Sequence, residues 1–226
     1  MCGLAGYIGE KKLSHVQINN CHNSMQSRGP DSFGSAHFKV KKKNVSLLHN
    51  RLKIIDLSNS ANQPFSNLGY TLIFNGEIYN FKEIKKNLIS KGYKFKTNSD
   101  TEVLLKNYIH KGHDAFNDFE GMWAIAIWDD NKKELILSRD RFGQKPLFYL
   151  NYNNQFFFGS QINQIKSICS HSFNINEEKI WDYLFSGYRV VFKNDRTFYK
   201  KIKHFPPSHY AIIKNDKIFF KRYWTL

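Results

Sequence analysis

Cysteine is scarce in this chain of 226 residues: Cys2, Cys21 and Cys169 stand far apart, and none belongs to a Cys-x-x-Cys pair. An odd number at such spacings argues against a disulfide framework and a zinc knuckle, and it leaves free thiols, which persist in a reducing compartment. Long apolar runs are missing too. No stretch approaches the roughly 18 residues that a membrane span needs, and the start lacks the basic region and long apolar segment of a signal peptide. Together these absences predict a cytoplasmic protein with no membrane partner.

Acidic residues are few, 19 against 34 lysines and arginines, for a net charge of +15. Such a balance raises nucleic acid as a partner. The lysines are scattered, however, and Asn, Ile, Phe and Tyr are also frequent, so a compositional bias accounts for the charge and no nucleic-acid partner is expected. The one dense run, "KVKKKN" at 39–44, predicts an exposed loop. The nine histidines are dispersed with no HExxH, and no metal site is expected. GxSxG, the Walker-type GxxxxGK[ST] and an aromatic-interleaved basic RNA motif are all lacking.

What is present is ordinary folded material: 41% hydrophobic and 16% aromatic residues, enough for one large domain with a full core. Alternation and β-branched or aromatic residues predict strands over Leu4–Ile8, Phe33–Lys39, Val45–Asn50, Thr71–Phe74, Trp123–Trp128, Glu134–Ser138, Leu147–Asn151 and Phe156–Phe158. "WDDNKKEL", "YLNYNNQF" and "IIKNDKIFF" read as hairpins, the last with Asn215 and Asp216 at its tip. Helices are predicted over Ser14–Ser27, Phe81–Lys91, Ser99–Lys111 and Glu177–Phe185, the third opening on a capping box formed by Ser99 and Glu102. Strands mixed irregularly with a few helices give an α+β class. With no repeat and no linker the whole span 1–226 reads as one domain, with 2–200 its core and 201–226 the final hairpin and the start of a connecting segment.

The opening "MCGLAGYIG" carries the sharpest chemical signal. Met1 is usually removed before a small side chain, which would place a thiol and a free α-amine on Cys2. An α-amine titrates near ~7.7–8.0, so at neutral pH it can accept the thiol proton. Equally, Cys2 can be no more than a residue that permits methionine removal. The GxxGxxG spacing does not suit a phosphate cradle, and its small residues fit close strand packing and substrate approach. "FNGEIYN" offers the Asn75 side-chain amide and the Gly76 N–H as donors for an oxyanion, although Asn-Gly also makes a simple turn. "HNRLKIID" offers Arg51 as a planar cation for a carboxylate, or as a surface charge. Glu77 and Asp100 can hold an ammonium group, and Asp100 can equally be a solvated first-turn acid.

Taken together, "MCGLAGYIG", "RGPDSFG", "HNRLKIIDLSNSANQPF", "FNGEIYNF", "NSDTEVLL" and "FEGMWAIAIWD…LSRDRFGQKPLFY" resemble, in order and over almost the whole chain, the glutaminase domain of glutamine-dependent asparagine synthetases. These are class II glutamine amidotransferases of the N-terminal nucleophile hydrolase type. The resemblance implies a four-layer αββα sandwich, two antiparallel sheets between helical layers. It further implies Cys2 as nucleophile with its α-amine as base, and Asn75 and Gly76 as oxyanion hole. Arg51 would hold the glutamine α-carboxylate, Glu77 and Asp100 its α-ammonium, and Arg28 and Asp31 would shape the loop near the site. Glutamine would be hydrolysed through a γ-glutamyl thioester with no cofactor. ATP and magnesium would belong to a synthetase domain, whose SGGxDS-type loop does not occur in this sequence. That domain, in a longer chain or a separate subunit, is the expected partner, with a homodimer also compatible. Amidation of another carboxylate, such as a sugar acid, is the rival reading, and a basic binding module without catalysis is a third. Gln161 replaces a more usual Glu and is expected to lie toward the second domain.

Overall fold

The structure is a computed structural model that describes residues 1–188 and 194–226. Its first sheet contains β1 (Gly3–Gly9), β2 (Ser32–Val40), β3 (Lys43–Arg51), β8 (Phe148–Tyr152), β9 (Gln155–Gly159) and β10 (Lys203–His204), in the order β10-β8-β9-β1-β3-β2. The second contains β4 (Phe65–Asn67), β5 (Tyr70–Ile78), β6 (Gly121–Asp129), β7 (Glu134–Arg139), β11 (His209–Lys214) and β12 (Lys217–Arg222), in the order β12-β11-β7-β6-β5-β4. All strand neighbours are antiparallel. Helices α1 (His15–Met25) and α5 (Ile162–Ile168) cover the outside of the first sheet, and α2 (Phe81–Ser90), α3 (Asp100–Lys111) and α4 (Ala115–Asp118) that of the second. α6 (Glu177–Ser186) lies between α5 and the return to β10.

Three cores define the layers, and strand alternation distributes residues among them. Along β6, Ala124, Ala126 and Trp128 point between the sheets, while Trp123, Ile125 and Ile127 pack under the helices. Along β9, Phe156 and Phe158 point between the sheets and Phe157 points to α1 and α5. Strands buried on both faces lose their polar alternation, which is why "WAIAIW" and "FFF" read as continuous apolar runs. The expected two-sheet α+β sandwich is the fold observed.

The predicted hairpins are present, and their tips show why. Asn153, Asn154, Asn215 and Asp216 all have positive φ, the conformation that tight two-residue turns require and Asn and Asp tolerate. Two expectations need correction. The exposed loop at 39–44 is a hairpin: Lys39 pairs with Asn44 and Val40 with Lys43, and only Lys41 and Lys42 form the turn. The capping box of α3 does not form as read. Ser99 is the N-cap and accepts from Thr101 N, but the Glu102 carboxylate turns away to the amides of Lys96 and Thr97, the Thr97 hydroxyl and Lys106. Burying Glu102 beside Lys106 makes those charge-assisted bonds stronger than a reach back to Ser99. A capping box does form at α1, from Ser14 and Gln17. Short elements without a full period, β4, β10, α4 and α5, escape the sequence reading; Gln161 is the N-cap of α5.

Gly6 is where small size is required. A Cβ there would lie 2.2 Å from the Phe158 ring and 2.8 Å from the Ser46 carbonyl oxygen. Overpacking of this kind costs about 1–3 kcal/mol, so Gly6→Ala is expected to lower the stability measured by urea unfolding by that amount. An unchanged midpoint would show that β1 tolerates a wider spacing from β9.

Candidate active site

One cleft, about 380 Å³, gathers Cys2, Arg51, Asn75, Gly76, Glu77 and Asp100 at one end of the sandwich, with Lys145, Gln63 and Asp56 also in its wall. Residues far apart in the chain meet here because the central strand β1 begins where β3 ends, Gly3 pairing with Asn50, and both point at the outer half of β5.

The Cys2 thiol is held by Leu52, whose amide donates to Sγ at 3.3 Å while Sγ–H donates to the Leu52 carbonyl at 3.7 Å. Burial pushes this thiol above the ordinary cysteine range, against the pull of the Leu52 amide, the terminal ammonium and Arg51. A thiol so placed needs a base to become a thiolate. Cys21, by comparison, is sealed in the core and pushed up to about 12 by burial. Arg28 Nε donates to the Cys2 carbonyl at 3.0 Å, and Asp31 accepts from Lys53 N at 2.8 Å, so both shape the backbone around Cys2 and the loop after β3.

The donors on β5 follow from sheet geometry. β4 pairs with β5 only as far as Leu72, so beyond it one edge of β5 is open. In an antiparallel strand every second residue turns its N–H and C=O to the same edge. On the open edge Phe74 N donates to the Gln63 side chain at 2.6 Å, the Phe74 carbonyl accepts from His49 Nε2 at 3.0 Å, and Ile78 N donates to Asp100 Oδ2 at 3.1 Å. Gly76, between them, faces the same way. Its register partner Trp123 turns both backbone groups to Asp140 instead, its N–H donating to Asp140 Oδ2 at 3.2 Å and its carbonyl accepting from Asp140 N at 3.0 Å. Gly76 N–H is thus aimed into the cleft. Beside it the buried Asn75 Nδ2 has no hydrogen-bond partner among the described residues. Two donors converge on one space without an acceptor, the arrangement a developing oxyanion requires. Glycine is obligatory at 76, since a Cβ would fall 2.1 Å from the Met122 carbonyl oxygen.

Arg51 is buried and pinned. Nη1 donates to the Ser58 carbonyl and to Asn62 Oδ1, each at 2.8 Å, and Nη2 to the Asp56 carbonyl. Three of the five guanidinium donors therefore order the loop, leaving Nε and one hydrogen of Nη2. Asp100 is not a solvated first-turn acid: it opens α3 only 4% exposed, and burial pushes it up to about 6 despite bonds from Ile78 N and the Ser99 hydroxyl. Glu77 is half-buried across the cleft. Sequence reasoning missed three contributors: Gln63, which occupies the Phe74 amide; His49, held neutral by burial, its pKa pulled down to about 3; and Lys145. Each lies inside one of the sequence motifs with no spacing to mark it.

Comparison with known proteins decides what this cleft belongs to. A family model for a glutamine amidotransferase domain matches residues 1–224. The chain belongs to that family. Asparagine synthetase [glutamine-hydrolyzing] 1 of Bacillus subtilis is 35% identical over 99% of this chain and 35% of its own length, and asparagine synthetase [glutamine-hydrolyzing] 2 of that species is 36% identical over 100% and 31%. Amidase chry2 of Gibberella zeae is 31% identical over 100% of this chain and 34% of its own. This amidotransferase chain thus spans about a third of the length of these relatives. Among solved structures, glutamine phosphoribosylpyrophosphate amidotransferase from Bacillus subtilis shares the fold at a TM-score of 0.72 and 18% identity, over 99% of this chain and 50% of that one. The described residues contain no helix long and apolar enough to cross a membrane.

The raised Asp100 fixes a sign for stability. The folded state binds the Asp100 proton more tightly than the unfolded chain does, so stability falls as pH rises from the unfolded carboxylate value, ~3.9, through about 6. Above that range the buried charge costs on the order of 3 kcal/mol. Asp100→Asn is expected to melt at a higher temperature than the parent at pH 7.5, with the difference shrinking near pH 4. A lower melting temperature at pH 7.5 would contradict the burial argument.

Proposed function

We propose that the domain hydrolyses glutamine to glutamate and ammonia through a γ-glutamyl thioester on Cys2, and that the ammonia serves ATP-dependent synthesis of asparagine from aspartate. The observation that carries the chemistry is the unfilled pair of donors, Asn75 Nδ2 and Gly76 N–H, in the same cleft as the Cys2 thiol. Support for the acceptor comes from relatives named as asparagine synthetases at 35% and 36% identity.

Removal of Met1 frees the Cys2 α-amine. This amine takes the thiol proton, and the thiolate attacks the side-chain carbonyl carbon of glutamine. Charge then develops on the carbonyl oxygen between Asn75 and Gly76. The protonated amine returns its proton to the departing nitrogen, ammonia leaves and a thioester remains. Water, deprotonated by the same amine, attacks the thioester, and glutamate departs as the thiol reforms. The remaining Nε and Nη2 hydrogens of Arg51 take the α-carboxylate side-on, and Glu77 and Asp100 hold the α-ammonium. Arg28 and Asp31 act through the loops they fix.

No cofactor takes part in these steps. ATP and magnesium belong to a synthetase partner, in the same chain or as a separate subunit, and ammonia passes to it across an interface before water can protonate it. A free thiol nucleophile fits a reducing compartment, the cytoplasm. The second reading, an acceptor carboxylate other than aspartate, is favoured by the equal coverage of an amidase, chry2.

Glutamate release from glutamine by the untagged protein and by Cys2→Ala, with intact mass confirming the loss of Met1, tests the proposal. Wild type alone is expected to turn over, and a protein with an intact N-terminal extension is expected to be inactive. Turnover by Cys2→Ala would refute the nucleophile. Removing one oxyanion donor, Asn75→Ala, should lower kcat about 10²–10³-fold with little change in KM; an effect confined to KM would assign Asn75 to ground-state binding.

A further inference from the structure

Lys145 is a charged cleft residue in contact with Met1 that the mechanism leaves unused. It is buried, 5% exposed, and its ammonium donates to Met1 Sδ at 3.3 Å. A thioether is a weak acceptor, and among the described residues no carboxylate or carbonyl oxygen is within hydrogen-bonding reach of Nζ. A buried ammonium in this state is costly unless something else in the site uses its charge. Its backbone is fixed on both sides. Lys145 N donates to Asp140 Oδ2 at 2.9 Å, and its carbonyl accepts from Arg139 Nε at 2.8 Å. Asp140 and Arg139 are themselves buried and bind further backbone of the same loop. The loop therefore has little freedom to carry the ammonium elsewhere.

Met1 is bonded to the Cys2 nitrogen, so the ammonium that touches its side chain stands over the ground Met1 vacates. We propose that Lys145 is a positioning residue whose charge keeps the Cys2 α-amine in its uncharged, proton-accepting form. The inference rests on the reading of that amine as the base. A cation close to an amine opposes its protonation, and it also favours the thiolate that forms when the proton moves.

The other charged groups facing Cys2 are Arg28 from the turn after α1, Arg51 at the end of β3, Asp56 in the following loop, Glu77 on β5 and Asp100 at the start of α3. Arg28 and Arg51 act in the same sense as Lys145. The Asp56 carboxylate is engaged by the amides of Ser58 and Asn98, and Glu77 and Asp100 act in the opposite sense in the free enzyme but are the same in wild type and in both Lys145 variants compared below. Burial, and then Arg28, lower Lys145 from the ordinary lysine range, while Glu77, Cys2 and Asp140 favour its charged form.

The test compares the pH dependence of kcat/KM for glutamine in the untagged wild type, Lys145→Met and Lys145→Arg, since this ratio reports the free enzyme's base. Lys145→Met is expected to move the acidic limb upward by about one pH unit, a loss of about tenfold near pH ~6.5 that disappears near pH ~9, and Lys145→Arg to restore the wild-type limb. A limb that stays in place, or a rise in KM at every pH, would overturn the proposal. A readout independent of turnover is thiazolidine formation between formaldehyde and the terminal Cys2, followed by intact mass, because it requires the free amine. Its pH midpoint should shift in the same direction in Lys145→Met, and equal midpoints would also overturn the proposal. If the wild type releases no glutamate while forming the thiazolidine normally, the proposed glutamine hydrolysis fails, and the midpoints alone decide the role of Lys145.

Discussion

The site depends on an unequal pairing at one sheet edge. β4 is three residues long and β5 nine, so the outer half of β5 has no strand beside it. An open edge exposes backbone donors that a folded protein normally covers. Here the cover is selective: Gln63 takes the Phe74 amide and Asp100 takes the Ile78 amide, one on either side in the alternation. The Gly76 amide between them stays open toward Cys2. Extending β4 by a few residues would complete the sheet and remove the donor.

The same clamps place the charged groups. Asp100, by filling the Ile78 amide, ties the start of α3 to β5, and Glu102 holds the segment before it through the Lys96 and Thr97 amides. Arg51 orders the loop after β3 by binding its carbonyls, while His49, two residues earlier, crosses to the Phe74 carbonyl and joins the two sheets. Groups that would contact substrate are thus also structural, and the cleft is organised without ligand. The cost is visible at Asp100 and Cys2, both shifted by burial toward their neutral forms. A cleft that disfavours its own charges is stabilised less than it would be with apolar residues, and such residues would have no chemistry.

Much of this architecture was legible in the sequence, and the reasons are physical. Long strands buried on both faces, such as Trp123–Trp128, announce themselves as apolar runs, and turns that need positive φ use Asn and Asp. The ordered motifs located Cys2, Arg51, Asn75, Gly76, Glu77 and Asp100 because each lies at or near an element's end, where sequence identity is set by contacts rather than by periodicity. What escaped was set by tertiary context. Glu102 had the spacing of a capping box, but the loop before α3 and Lys106 offered it better partners. β4 and β10 are too short to show a period, and their pairing is decided by the strands they meet. Lys145 looked like one lysine among many; only its burial beside Met1 separates it from the solvated ones.

Three cysteines in one chain offer a direct test of the central claim, that the Cys2 thiol is the nucleophile for a bound glutamine. The mature protein would be treated with a glutamine analogue carrying an electrophile in place of the side-chain carboxamide, and the adducts mapped by peptide mass with and without excess glutamine. A single adduct on Cys2, suppressed by glutamine, with Cys21 and Cys169 unmodified in their buried positions, is the predicted result. Labelling of Cys21 or Cys169 at a rate equal to Cys2, or labelling of Cys2 that glutamine does not slow, would contradict it.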